Sequence, residues 1–498
     1  MPDEPGHVFP GRHGPDSVSA ALSGALRADG RRASAAARAF SRVRCRRAGL
    51  SGAPASTCPL SLSTCHFPNK TMKSSKLLVF GIGASVSILL AACGGGDSGS
   101  PTATTGPGGT NGAGAASAAV MPLASGSSYV GTVGFGDTIR IDVDRPTAGQ
   151  LTLTFVNSQF GLAGQVIGTY RTAGNGQFVV SNLAAGPGVT LSPDQIAALS
   201  LSISLTKDDN GAGLLSGSLS NVPNLLGGGG LLQGQLALTN NGVTDVASLA
   251  GAYSFVSLAG DRRQDGVPVG TQEPEAGQVR INADGSARFC FGKPYADTCK
   301  NLDTDTGASL VDTATFVPDP DQATYPGAFD MLVGGKINGR AFVTRQGGNV
   351  TLLVDRFGTS PEGTPRTGSM VLTTTRTLAS GAYDGQWVCV EPDTTVGNRL
   401  TGKADVVQSM ISGTQMVSPD GQMKTPLYFN AAFDLDTAAR TQSDPIVAQG
   451  IDGLIAAQIQ LAKEKETTVL LPVNNSTMYW LDEPNGSGFF VMGLCSKQ

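Results

Sequence analysis

Histidine is almost missing from this chain: its 498 residues contain three, His7, His13 and His66, and none follows. Everything beyond residue 66 must therefore work without an imidazole. That excludes Ser-His-Asp and Cys-His catalysis, and histidine-bearing zinc, copper or iron sites, from that part of the chain. Charge is also scarce, at 15% of residues against roughly 25% in a typical soluble protein. Coiled coils and charged disordered chains need more. Aromatic residues make up 6%, with two tryptophans, and no apolar run reaches the roughly 20 residues of a membrane-spanning helix. Paired CxxC knuckles are missing too, so a zinc site built from cysteines alone has no framework. What the chain has instead is glycine, 67 residues of it, which suits strands joined by tight turns. The length fits two to four domains.

The composition divides at residue 72. Residues 1–71 carry nine arginines and one lysine against four acids, and the remainder is acidic. Met72 opens a different pattern: Lys73 and Lys76, an apolar run from Leu77 to Leu90, then Leu90-Ala91-Ala92-Cys93 and three glycines. A positive start, a short apolar centre and small residues before a cut make a secretory signal. Leu90 to Cys93 resembles the lipobox of bacterial lipoproteins. The resemblance implies cleavage by signal peptidase II after Ala92 and a diacylglycerol on the Cys93 thiol. In that family an aspartate directly after the cysteine favours the inner membrane of enteric bacteria. Gly94 stands there, which implies an anchor in the outer membrane. A signal must lie near the amino terminus to be read, so Met72 is the expected start, with 1–71 an upstream extension outside the working protein and 72–92 the signal peptide.

From Cys93 onward there are 23 basic and 35 acidic residues, a net charge of −12. Nucleic acid is then an improbable partner, because phosphate binding rests on clustered Lys and Arg. Four cysteines follow the anchor, Cys290, Cys299, Cys389 and Cys495. An even number in an exported chain reads as disulfides, with three connectivities available. We favour Cys290 with Cys299, close in sequence, and Cys389 with Cys495, which join the opening and closing strands of one domain.

Residues 93–126 are a Gly/Ser/Thr-rich tether with almost nothing to bury. Period-2 alternation then marks strands: Thr138 to Val143, Leu151 to Phe155, and Leu199, Leu201, Ile203 and Leu205 between single serines. Ser192-Pro193-Asp194-Gln195 has the residues of a capped helix start. Asp284-Gly285 and Asp420-Gly421 sit between alternating runs and read as hairpin turns. Leu249 to Tyr253 is echoed by Leu378 to Tyr383, and Asn349 to Val354 by Asn475 to Trp480, which suggests one β-domain used twice. The expected fold is mostly β: two or three antiparallel sandwich or barrel domains with a few short helices, over 127–246, 247–377 and 378–498. A β-propeller is the alternative. One longer helix is expected over Gln449 to Glu464, with Ile451, Leu454, Ile455 and Leu461 near one face.

Several motifs are weighed and set aside. Gly96-Asp97-Ser98-Gly99 lies in the tether without a histidine to serve it. Ser204 and Lys207 have the SxxK spacing of penicillin-binding enzymes but sit on a strand, where they face opposite ways. Asp305-Thr306-Gly307 lacks the second loop of an aspartic protease. Asp303, Asp305 and Asp312 offer oxygen ligands to calcium, with the glycine one place out of register. Trp387 and Trp480, with Tyr479, Phe489 and Phe490, could stack on a ligand, although Trp387 beside Cys389 reads as core packed by a disulfide. No catalytic residue, metal or cofactor is expected.

The chain also resembles proteobacterial envelope lipoproteins of unknown role in general character, without a shared motif, so no further site carries over. The expectation is a lipid-anchored, non-catalytic binding or adhesion module of the outer membrane, facing the periplasm or the surface, with a protein or glycan ligand. The alternatives are an envelope assembly lipoprotein that docks other proteins and a carboxylate-dependent hydrolase. Cys93→Ala is expected to abolish incorporation of labelled palmitate and to move the protein out of the membrane fraction. A proteome digest is expected to yield no peptide from residues 1–71.

Overall fold

The computed structural model describes residues 126–498 except 175–176, 227–229, 263–267, 303–307, 360–362, 396–399, 434, 436–446, 461–464 and 484–488. The signal sequence, Cys93, the tether to residue 125 and Asp303 and Asp305 lie outside the described residues.

Three antiparallel barrels of eight strands each follow one another along the chain. The first runs from Ser128–Val133 to Leu231–Thr239, and these two strands pair to close it, Val130 opposite Thr239 and Val133 opposite Leu236. The second runs from Gly251–Arg262 to Pro365–Thr374 and closes from Tyr253 opposite Thr374 to Asp261 opposite Arg366. The third runs from Gly385–Thr394 to Val491–Lys497. The mostly-β expectation is met with barrels, and the propeller alternative is replaced. A propeller blade is an open sheet, whereas here each unit joins its last strand to its first.

Local signals carry much of this. Ser200–Lys207 buries Leu201, Ile203 and Leu205 and exposes or half-exposes the residues between them, as its alternation requires. Gly285 and Gly421 have φ of 83° and 70°, the left-handed conformation that glycine adopts without a Cβ clash. Around them Ile281 pairs with Ala287, and Val417 with Lys424. The helix Pro193–Ala198 starts on the capping box of Ser192 and Gln195. Cys290 is bonded to Cys299 and Cys389 to Cys495, the latter pair directly opposite each other on the strands that close the third barrel.

Other expectations change. The helix expected over Gln449 to Glu464 is replaced from 449 to 460, and 461–464 lie outside the described residues. Val447–Gln449 and Ile455–Gln460 are strands separated by a turn, with Gly450 and Gly453 at φ of 80° and 89°. Ile455 and Ala457 fill the third barrel while Ala456 packs outside it. A run buried on both faces has no polar stripe to betray its period, so it imitates a helix. Asp137–Val143 is likewise not half-buried, because its outer face is covered as well. The two echoes also differ. Asn349 to Val354 and Asn475 to Trp480 both enter the seventh strand of their barrels, but Tyr253 lies on a strand while Tyr383 precedes one. Trp387 takes the Tyr253 role instead. Tyr253 Oη donates to Leu249 O at 2.7 Å, and Trp387 Nε1 to Tyr383 O at 2.8 Å.

The interiors of the barrels are packed with side chains. Ile139, Leu153, Ile203, Leu205 and Leu236 fill the first, and Phe255, Phe289, Phe316 and Phe329 the second. The barrels then pack outer face to outer face. Ala237 of the first, Val256, Leu353 and Val371 of the second, and Val469 and Leu481 of the third share one apolar cluster. At their junction a cavity of about 20 Å³ is lined by Thr132, Gln235, Leu353, Ser369, Tyr479 and Met492, among others. Gly136 and Gly368 let two backbones touch: a Cβ at Gly136 would lie 2.5 Å from Gly368 N.

The seam between the first two barrels also buries charge. Arg340 stands opposite Asp330 on one neighbouring strand and Asp355 on the other. Its Nε donates to Asp319 at 2.6 Å, and its guanidinium lies 3.4 Å from the Tyr325 ring centre. Thr138 Oγ1 of the first barrel donates to Asp355 at 2.5 Å, while the other Asp355 oxygen and one Asp137 oxygen are buried without a hydrogen-bond partner. Burial pushes the Asp355 carboxyl up to about 7, and it pushes Asp137 well above the usual carboxylate range. A carboxyl raised on folding binds its proton more tightly in the native state than in the unfolded one. Its contribution to stability is therefore fully present below about pH 4 and is lost as pH rises through about 7. Asp355→Asn keeps an acceptor for Thr138 and removes the charge. It is expected to raise stability at pH 8 by about 1–3 kcal/mol, with little change at pH 4, as measured by urea unfolding at the two pH values.

Candidate functional site

Position along the strands places acids inside the third barrel. Trp387, Cys389 and Glu391 alternate on Gly385–Thr394 and are buried, opposite Ser409, Val407 and Asp405 of the strand Leu400–Ser412. Trp387, Cys389, Leu470, Met478, Trp480 and Cys495 form an apolar core. Beyond it, the same inward face continues with Glu391, Asp405 and Asp482. Gly493 leaves room for Glu391: a Cβ there would come within 2.9 Å of the Glu391 Cβ. Asp482 is 5% exposed and accepts from Thr468 Oγ1 at 2.5 Å.

Among the described residues, the charges that act on Glu391 most strongly are acids. Glu391 is 5% exposed and its Oε2 has no hydrogen-bond partner. Burial pushes its carboxyl well above the usual range, and repulsion from Asp482, Asp405, Glu466 and Asp393 pushes the same way. Burial, aided by Glu466, holds Asp482 up at about 7, despite the Thr468 hydroxyl that favours its charged form. The pair titrates as a unit. Such displaced carboxyls mark candidate sites, and the mouth of a barrel is a common place for one.

Among the described residues the strand pairing beside them is partial. Leu400–Ser412 pairs with Gly385–Thr394 along its length, but on its other edge only Met410, Ile411 and Ser412 pair, with Gln415–Val417. Among the described residues no strand covers that edge from Ala404 to Ser409. Asp405 is exposed while facing inward, so the acid-lined end meets solvent.

The candidates taken from the sequence fall elsewhere. Trp387 and Trp480 are core, 1% and 3% exposed, while Tyr479 and Phe490 pack on the second barrel. Asp312 accepts from Asn301 Nδ2 at 2.6 Å, and its companions Asp303 and Asp305 lie outside the described residues. Among the described residues no three His, Cys, Asp or Glu side chains converge as a metal site. Ser204 is on a strand, beside Ser216 at 3.0 Å. A second concavity of about 330 Å³ lies on the first barrel, lined by Arg140, Arg145, Thr152, Gln165 and other residues. Glu391 is the residue that sequence reasoning misses. Its signal is the alternation Trp387, Cys389, Glu391, which puts an acid where the barrel interior is expected.

Glu391→Gln removes one charge of the coupled pair. It is expected to raise the Tm at pH 8, by an amount equivalent to about 1–3 kcal/mol, and to leave the Tm at pH 4 nearly unchanged, while Asp482→Asn is expected to lower the Glu391 pKa, which NMR titration of the carboxyl would follow. No family model matches the chain, and no curated protein matches it. Among solved structures, a protein of unknown function of the DUF3598 family from Nostoc punctiforme is similar to 51% of this chain over 100% of its own length, at 9% identity and a TM-score of 0.18, a likeness too slight to bear on function.

Proposed function

We propose that the chain is a lipid-anchored binding module of the cell envelope that holds a cationic ligand at the mouth of its third barrel. The observation that carries this reading is Glu391, a buried acid whose strongest charged neighbours are all acids, at a barrel end open to solvent. A cation brought there replaces repulsion with attraction in a site of low dielectric. The net charge of −12 from Cys93 onward acts in the same sense at longer range. The lipobox and tether support an anchor at Cys93 in the outer membrane.

A second reading draws on the same pair. Two carboxyls with displaced pKa values are what a glycoside hydrolase uses, so turnover of glycoside substrates that is lost in Glu391→Gln would place a hydrolase first.

For the binding reading, spermidine is the probe, added to the full chain in detergent. A hundredfold excess over its Kd is expected to add about 3 kcal/mol to stability at pH 8, less at high salt and less in Glu391→Gln. A Tm unmoved by spermidine at low salt would overturn the proposal.

A further inference from the structure

The open edge beside the acids has a defined hydrogen-bonding direction. Ser412 and Gln415 flank a two-residue turn and pair with each other, so the backbone groups of Ser412 and Met410 point to Gln415–Val417. Successive residues of a strand alternate in this respect. Ala404, Val406 and Gln408 therefore point their N–H and C=O groups away from Gly385–Thr394, toward the side on which no described strand lies. The close approach of Cys389 and Cys495, with Cα atoms 3.8 Å apart, gives the same parity. It is the spacing of a pair that does not exchange hydrogen bonds, so Cys389 bonds toward Val407 and the even-numbered residues of the next strand face outward.

Two local features agree with an unpaired edge. The Val406 N–H is met by the side chain of its own neighbour, Asp405 Oδ1, at 2.8 Å. Val406 and Met410 are 52% and 43% exposed on the outer face. The start of the strand is covered, since Gly402 lies against Leu231 of the first barrel, and its end is paired. Among the described residues, there remains between them a length of edge that one extended segment can occupy. Such an edge is a template for strand addition.

We infer that this edge takes an extended, Lys- or Arg-bearing segment of a partner polypeptide, added as a strand along Ala404, Val406 and Gln408. This rests on the cationic-ligand reading above and names the ligand. In an added strand every second side chain faces the barrel interior. Those side chains arrive beside Asp405, which is opposite Glu391, and an apolar or acidic residue there leaves the repulsion standing. The intervening side chains lie on the outer face with Val406 and Met410. Charge complementarity thus selects the inward residues, and backbone pairing supplies a contact that a small amine cannot make.

The test compares three probes on the full chain in detergent by calorimetry: spermidine, a short peptide alternating lysine and threonine, and that peptide N-methylated on the backbone of alternate residues. The unmodified peptide is expected to bind at least tenfold more tightly than the peptide methylated on the edge-facing residues. Gln408→Pro, which removes an outward N–H without touching the ladder to Gly385–Thr394, is expected to weaken the peptide at least tenfold and leave spermidine unchanged. Glu391→Gln is expected to weaken both. Equal binding of the methylated and unmodified peptides overturns strand addition, and because that comparison uses the unaltered protein it holds even where Gln408→Pro does not fold. Spermidine binding with no gain for the peptide removes the strand and keeps the cation site. Failure of every probe removes both. A dimer of the chain alone that Gln408→Pro dissociates would replace the partner with a second copy, which also overturns the inference.

Discussion

A closed barrel solves the problem of its own inner face and leaves its outer face to water. Here three barrels turn part of that outer face toward one another, and much else in the molecule follows from it. Strands at the seams are buried on both sides, as Asp137–Val143 is. Polar groups caught there lose water, which is why Asp355 and Asp137 hold their protons so firmly. Backbones must also come close, and Gly136 against Gly368 supplies the room. The second barrel also matches buried charge within its own strands and loops on its side of the seam. Arg340 meets Asp319 and Asp330 and lies over Tyr325, an arrangement that a slipped register would break.

The same constraint decides what could be read in advance. Ser200–Lys207 faces the core on one side only, so its serines and leucines announce a strand. Asp284-Gly285 and Asp420-Gly421 announce turns through the backbone conformation they permit, and the Cys389–Cys495 pair follows from strands that must meet to close a barrel. The stretch 449–460 is illegible because Ile455 and Ala457 go inward while Ala456 goes outward into another apolar surface. With both faces buried, hydrophobic spacing carries no period. Glu391 is hidden differently. An isolated acid on a strand looks solvated, and only its shared parity with Trp387 and Cys389 marks it as interior. The neighbours that raise its pKa, Asp482 and Glu466, are some 75 to 91 residues further along the chain, a distance that only the barrel closes.

The third barrel has two unlike ends. One is filled by tryptophans and a disulfide, and the other holds carboxyls beside an edge that no described strand covers. Stability supplied by the first region permits the second. Buried acids in proximity cost free energy at neutral pH, and a barrel held together by Trp387, Trp480 and the Cys389–Cys495 bond can sustain that cost without opening.

That cost is also what a ligand can relieve. In the empty site part of the repulsion is avoided by keeping protons on Glu391 and Asp482. A cation favours the charged forms and so displaces those protons. By linkage, proton release on binding means tighter binding as pH rises through the range where the pair titrates, with Asp482 near 7. The inter-barrel acid Asp355 titrates in the same range but lies in a different seam and gains nothing from a cation at the mouth. Stability and affinity therefore move in opposite directions with pH: the empty protein loses stability as it becomes alkaline, while the site becomes a better receptor for positive charge.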